Sequence, residues 1–302
     1  MYNEYILDKR NGVPKLMARV NFLNNKDMLE EIHKSKSSYC EFTNPGDDRY
    51  DYILDLVSSM TKPSAIDIND IFKADIIEEA KANRAARLSD IAFKEAQKKS
   101  TTKLKASAFA IDPKDINIDD LVFRVMTYEH IPLENRKKNP KRVADYHVKL
   151  NFLPFIHYKI ANLNLKIGLE VGRSHSKNGE FSLTHGSITN TLANMYLLLV
   201  ERYAQKVNWR NYTYVEEMQG QSLIQLTQMG LLFNELKSDN PFSYFTALMS
   251  NSFTKIVNSE KAHQSLRDDL LQEAGMNPSF TRQMEHEEEV RKSRESLNSE
   301  DI

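Results

Sequence analysis

The sequence lacks most of the features that assign a chemistry at sight. It holds one cysteine, Cys40, in 302 residues. That excludes an intrachain disulfide and a thiolate cluster for zinc, and a reducing cytoplasm is the simplest setting. No run of about eighteen apolar residues occurs, so no membrane-spanning helix is expected. The opening "MYNEYILDKRNG" has no apolar segment of the signal-peptide kind. Gly-rich phosphate loops are missing, because "GVPK" and "EVGRSHSKNGE" fit neither the P-loop nor the dinucleotide fingerprint. H-E-x-x-H and C-x-x-C are absent as well. His157, His175 and His185, with Glu170 and Glu180, show no tight ligand spacing, and isolated histidines on strands are ordinarily hydrogen-bonded scaffold. Cys40 has no evident activating partner. The chain is therefore expected to be no enzyme and to need no cofactor.

A charge excess of one sign is also lacking. Lys and Arg number 41 against 42 Asp and Glu, a formal net charge of −1. Global charge argues neither for nor against nucleic acid, so any phosphate-binding surface must come from local segregation. Residues 81–105 hold Lys81, Arg84, Arg87, Lys94, Lys98, Lys99, Lys103 and Lys105 against Asp90 and Glu95. The tail "EHEEEVRKSRESLNSEDI", from 285, carries seven acids against three bases. Such runs are most often solvated faces.

What is present is a composition of 40% apolar and 27% charged residues, typical of a soluble globular protein of one large or two modest domains. The expected fold class is mainly α, α+β overall, with helical N-terminal segments, a β-rich insert and a helical bundle in the C-terminal half. Residues 1–40 form an N-terminal segment whose helix is capped at Asn25, with Met28, Leu29 and Ile32 on one face. "TNPGDD" (43–48) is a turn cluster, and 41–105 is helical and partly basic, with Ile71, Phe72, Ile76 and Ile77 near the helix start. Residues 106–187 alternate apolar and polar positions at Val148, Leu150, Phe152 and again at Leu163, Leu165, Ile167, Leu169, Val171, which predicts strands. Asn178-Gly179 predicts a hairpin turn.

From Ile188 the period becomes helical through Leu192, Met195, Leu199, Tyr203 and Val207. "NWRNY" breaks that helix, and Thr213 with Glu216 forms a capping box for the next, which carries Met218, Leu223, Leu226, Met229 and Phe233. Asn240 with Pro241 starts a third. Its apolar side is Phe245, Leu248 or Met249, Ser252 or Phe253, and Ile256. Its other face offers Tyr244, Thr246, Ala247, Ser250, Asn251, Thr254 and Lys255. Asn can pair with adenine, Thr can touch a thymine methyl, and Lys can meet phosphate, so this face suits AT-rich DNA. Residues 186–262 thus form a compact helical bundle, followed by a helical, acidic tail at 263–302.

The stretch "YTYVEEMQGQSLIQLTQMGLLFNELKSDNPFSYFTALMSNSFTKIVNSEK" (212–261) resembles the second region of bacterial sigma factors. It looks most like the late-promoter sigma factors of T-even-type bacteriophages, the marine members among them. The shared pattern is an amphipathic helix, a Phe233-Asn234 turn, N-P-F-x-Y, and a helix ending in basic residues. "NFLNNKDMLEEIHK" (21–34), "LRDDLL" (266–271) and "PSFTRQ" (278–283) are similar to that group too. The resemblance implies a sigma factor that joins the host bacterial RNA polymerase core and melts an AT-rich minus-ten-type late promoter, in the cytoplasm of an infected cell. Glu217, Gln221, Gln225 and Gln228 would be the polar face that docks on the coiled coil of the largest polymerase subunit. Phe242, Tyr244, Thr246, Ser250, Asn251, Thr254 and Lys255 would face promoter DNA. Asn251 falls where primary sigma factors carry a promoter-reading glutamine, and Lys255 where they carry an arginine. Ala247 and Leu248 stand where those factors have paired tryptophans. No second helix-turn-helix domain is expected after 262. In that family a sliding clamp and a late co-activator are further partners, and Leu297 and Ile302 are the apolar anchors available to the clamp. The alternative from the residues themselves is a DNA-binding regulator, or a polymerase-interaction protein, without sigma activity.

Overall fold

The computed structural model describes residues 23–59, 68–99, 104–132 and 150–300, with the short strands Tyr5–Leu7 (β1), Pro14–Leu16 (β2), Lys137–Lys138 and Tyr146–His147. Val148, Lys103 and Ile302 lie outside the described residues, as do the side chains from 294 onward, Leu297 among them. The fold is mixed α+β with helix predominating. It divides into two compact units. The first is Met1–Leu199 with Thr227–Phe245, the second Val200–Leu226 with Thr246–Ile302.

The first unit begins with α1, Asn25–Ser37. Its cap is Asn24, one residue before the expected Asn25, and the Asn24 carboxamide oxygen accepts from Asp27 N at 2.9 Å. Then follow β3 (Cys40–Phe42), β4 (Tyr52–Asp55), the short α2 (Leu56–Ser59), and α3 (Ala74–Lys99). The strands β5 (Val122–Met126), β6 (Lys137–Lys138), β7 (Tyr146–His147), β8 (Phe155–Asn162) and β9 (Ile167–Ser174) complete the run. Five strands form one sheet in the order β3-β9-β8-β5-β4. Only β4 and β5 are parallel, and the chain between them includes α3, as a parallel crossover requires. The sheet therefore takes β3 and β4 from the region expected to be helical, besides the strands expected within 106–187.

At β5 both faces of the sheet are covered, so that strand has no alternation of burial. Phe123 and Val125 join Leu54, Ile160, and Ile76, Ile77, Ala80 and Ala85 of α3 in one apolar core. Arg124 leaves β5 on the opposite side. The Asn178-Gly179 turn is as expected. It joins β10 (Ser176–Lys177) to β11 (Glu180–Phe181), and both turn residues have positive φ, 53° and 79°.

Three helices follow, α4 (Asn190–Ala204), α5 (Val215–Met229) and α6 (Pro241–Glu273), then α7 (Phe280–Glu300). Leu192, Met195 and Leu199 are buried as the period predicts, but Val207 lies beyond the end of α4 and is exposed. The first helical bond of α5 runs from Met218 N to Tyr214 O, so the helix enters at Tyr214 rather than at Thr213. For α6 the expected cap holds, with Asn240 Oδ1 accepting from Ser243 N at 3.0 Å ahead of Pro241.

In the second unit Phe253 is fully buried with Tyr203 and Trp209 edge-on, ring centres 5.1 and 5.4 Å away. There α6 continues well past 257 and stops at Gly275, whose φ of +72° and the bonds Met276 N to Leu271 O and Gly275 N to Gln272 O make a Schellman ending. The chain then turns into α7. Asp268 is buried there and accepts from Ser279 N and Oγ, while Arg282 pairs with Asp269 at 2.7 Å.

Candidate functional site

Within the second unit, Leu248, Met249, Phe253 and Val257 are the buried side of α6. Asn251, Thr254 and Lys255 are exposed on the far side, at spacings of three and four that make them neighbours. Ser250 and Thr246 are half-buried. The Thr246 hydroxyl is enclosed and has no hydrogen-bond partner among the described residues. Leu248, one of the two residues at the tryptophan positions, is core, whereas Ala247 is exposed.

α5 presents a parallel division. Met218, Ser222 and Leu226 recur every fourth residue and are buried. Glu217 is exposed, and Gln221 and Gln225 are half-buried beside them. Gln228, in the first unit, is exposed.

The first turn of α6 belongs to the first unit. Phe242 is 45% exposed, and its N–H donates to Asn25 Oδ1 at 3.2 Å. Tyr244 is tied down. Its hydroxyl donates to Met229 O at 2.8 Å, and its ring lies 5.6 Å from that of Phe233 and 5.8 Å from that of Phe245. Burial raises the Tyr244 phenol above its ordinary pKa. Of the two aromatics expected to face DNA, Phe242 has the open ring.

The basic segment loses two of its charges to the fold. Arg84 Nη1 and Arg87 Nη2 both donate to the buried carboxylate of Asp51, at 3.1 and 2.6 Å, and Val122 N donates to the same group at 2.9 Å. Arg84 and Arg87 are thus structural, while Lys98 and Lys99 remain exposed.

A second ionic group was not foreseen. Lys36 is buried and donates to Glu235 Oε1 at 2.7 Å and to Phe233 O at 2.8 Å. Burial by itself would raise the Glu235 carboxyl, but the Lys36 charge, with lesser help from His33 and Arg124, brings it down to about 2. Arg124, also buried, donates from Nε to His157 Nε2 at 2.9 Å and lies 4.0 and 3.9 Å over the rings of Tyr50 and Phe155. Its Nη2 has no hydrogen-bond partner among the described residues. The one signal in the sequence was an arginine inside the apolar run "VFRVM".

The histidines weighed as metal ligands are dispersed in role. His157 Nδ1 meets Asp47 O at 2.7 Å, which, with the Arg124 bond, occupies both ring nitrogens. His175 is buried against Phe152, ring centres 4.3 Å apart, with Nδ1 on Ser174 Oγ at 3.2 Å. His185 lies under Tyr39. Glu170 is held by Arg173, and Glu180 is exposed. No three His, Cys, Asp or Glu side chains among the described residues converge as metal ligands, and no described helix is long and apolar enough to cross a membrane. Comparison with known proteins gives no matching family model and no similar curated protein or solved structure.

Proposed function

We propose that this chain is a promoter-specificity factor of the sigma type. It joins a bacterial RNA polymerase core through α5 and engages an AT-rich, minus-ten-type promoter through α6, in the cytoplasm of a phage-infected cell. The supporting observation is the division of α6 in the second unit. One side fills the core, and the side bearing Asn251, Thr254 and Lys255 is left to solvent. Gln221 and Asn251, the residues on which the two docking faces turn, are not sealed inside.

The chemistry fits the task. An Asn carboxamide matches the adenine edge, worth about 1–3 kcal/mol of discrimination, and AT-rich steps are the cheapest to unstack. An exposed ring such as Phe242 offers a platform for an unpaired base, worth about 1–3 kcal/mol. Lys255 supplies salt-sensitive backbone contact. A late co-activator and a sliding clamp would be further partners.

Run-off transcription with purified bacterial core polymerase and the full-length chain on AT-rich late-promoter templates tests the proposal. Transcription should depend on the chain. Asn251→Ala should cut open-complex formation about tenfold with core binding intact, and Glu217→Lys with Gln221→Ala should weaken core binding. DNA binding without any association with core polymerase would overturn the sigma reading in favour of a plain DNA-binding regulator.

A further inference from the structure

Asn178 and Gly179 make the turn between β10 and β11, and both are exposed with positive φ. In a two-residue hairpin the N–H of the second turn residue has no partner within the ladder. Here that N–H is taken. Gly179 N donates at 2.8 Å to Oε2 of Glu41, on the neighbouring β3, and Ser176 Oγ donates to the same oxygen at 3.0 Å. The Gly179 bond first, and the Ser176 bond after it, hold the Glu41 carboxyl below its ordinary range, so the acceptor is charged at neutral pH.

An asparagine followed by glycine carries an electrophile and a nucleophile side by side. The Gly179 nitrogen, on losing its proton, attacks Asn178 Cγ. The N–Cγ bond forms and the Cγ–Nδ2 bond breaks. The amide nitrogen leaves as ammonia, taking up a proton, and a five-membered succinimide is closed. Water then opens the ring at Cγ to give aspartate, or at the Asn178 backbone carbonyl carbon to give isoaspartate. Glycine leaves the attacking nitrogen unshielded by any side chain. Two features of the fold oppose the attack. Asn178 must leave its left-handed conformation for the ring to close, and the proton to be lost is bound to the Glu41 carboxylate.

We propose that Asn178 is a site of self-modification by deamidation, and that Glu41 sets its rate by holding the Gly179 N–H. With that bond made, the turn reacts only when the hairpin opens. Aspartate adds a negative charge to a turn already beside Glu41 and Glu180. Isoaspartate lengthens the turn backbone, which the pairing of Ser176 with Phe181 and of Lys177 with Glu180 does not accommodate. Either product loosens the hairpin from β3. The polymerase and DNA reading is not involved.

The test is to age the full-length chain in mildly alkaline buffer and follow it by peptide mapping with mass spectrometry. The mapping reads conversion of amide to acid, and separates residue 178 from Asn11-Gly12, the other such pair. Circular dichroism confirms that each variant is folded. Residue 178 should convert at least about tenfold more slowly in the native wild-type chain than in the same chain unfolded in urea, since a bond to a charged acceptor must first be broken. Glu41→Ala should raise the native rate about tenfold and leave the rate in urea unchanged. Glu41→Gln keeps the shape and an uncharged acceptor, so its native rate should fall between the two. A native wild-type rate equal to that in urea overturns the proposal. So do folded Glu41 variants that convert no faster than wild type.

Discussion

Asp51 shows how much one side chain can carry. Its carboxylate is sealed from solvent and accepts from two arginines of α3 and from the backbone N–H of Val122 at the start of β5. It therefore ties the crossover helix to the strand that the crossover serves. Replacement by Asn keeps the shape but removes the charge from a site where two guanidinium groups converge. Leaving buried charge uncompensated costs about 3–5 kcal/mol, so Asp51→Asn should lower the urea midpoint of the full chain by that equivalent with little change in m-value. Asp51→Asn combined with Arg84→Met and Arg87→Met should recover part of the loss, since an apolar replacement removes the stranded charges as well. Neither partner was readable beforehand. Asp51 is 33 and 36 residues from its arginines, and a charge run looks the same whether its members meet water or a buried acid.

At the scale of elements, helix starts were readable to within a residue because local chemistry sets them: α1 is capped at Asn24 rather than Asn25, and α5 enters at Tyr214 rather than Thr213. Asn240 and Pro241 open α6 where the residue types demand. Helix length was less so. Residues 258–273 of α6 have almost no buried side chains, so apolar periodicity fades there although the helix does not. It runs on until glycine permits the left-handed stop at 275. Of the alternating residues at 163–171, Ile167, Leu169 and Val171 lie in β9 while Leu163 and Leu165 lie in the turn before it, and of the five Val171 alone is buried, because alternation cannot tell a core-facing stripe from one facing solvent. The faces proposed for DNA and polymerase were legible only as the polar remainder of amphipathic helices, and the restraint on Tyr244 was not, since its acceptor is a backbone carbonyl. Close packing between elements supplies a further prediction. Tyr196 of α4 is buried against Gly230, just past α5, where an added Cβ would lie 2.1 Å from the phenol oxygen. Gly230→Ala should destabilise by about 1–3 kcal/mol through overpacking. Tyr196→Phe removes the clashing oxygen, which has no hydrogen-bond partner among the described residues. The double variant should regain part of the loss in a thermal melt, since Tyr196 Cζ still lies 2.8 Å from the added Cβ, whereas a purely conformational cost at residue 230 would persist in full.

Over the whole chain, the response to acid follows from where the histidines are. In the first unit burial pushes His33 and His175 down to about 3 and His157 well below its ordinary value, with the Arg124 charge acting in the same direction on His157. The described histidines of the second unit, His263 and His286, are exposed. Above pH 6.5 the three buried rings are neutral both folded and unfolded, so their titration contributes no slope. Below 6.5 the unfolded chain takes up protons that the fold refuses, and stability falls as pH falls, by about 1.4 kcal/mol per pH unit for each ring. The window extends down to about pH 3, and Glu235 adds to the loss below 4.5, where the unfolded carboxyl protonates and the paired one does not. Three rings together approach about 4 kcal/mol per unit, against a total stability of about 5–15 kcal/mol. The sheet should therefore open between about pH 5 and 4. Urea midpoints measured at intervals from pH 7.5 to 4, with hydrogen exchange read on the β5, β8 and β9 amides, check this. Substituting His175→Phe should flatten the slope by about one proton's worth. A midpoint constant down to pH 4 would mean that the three rings take up protons in the folded state as readily as in the unfolded one.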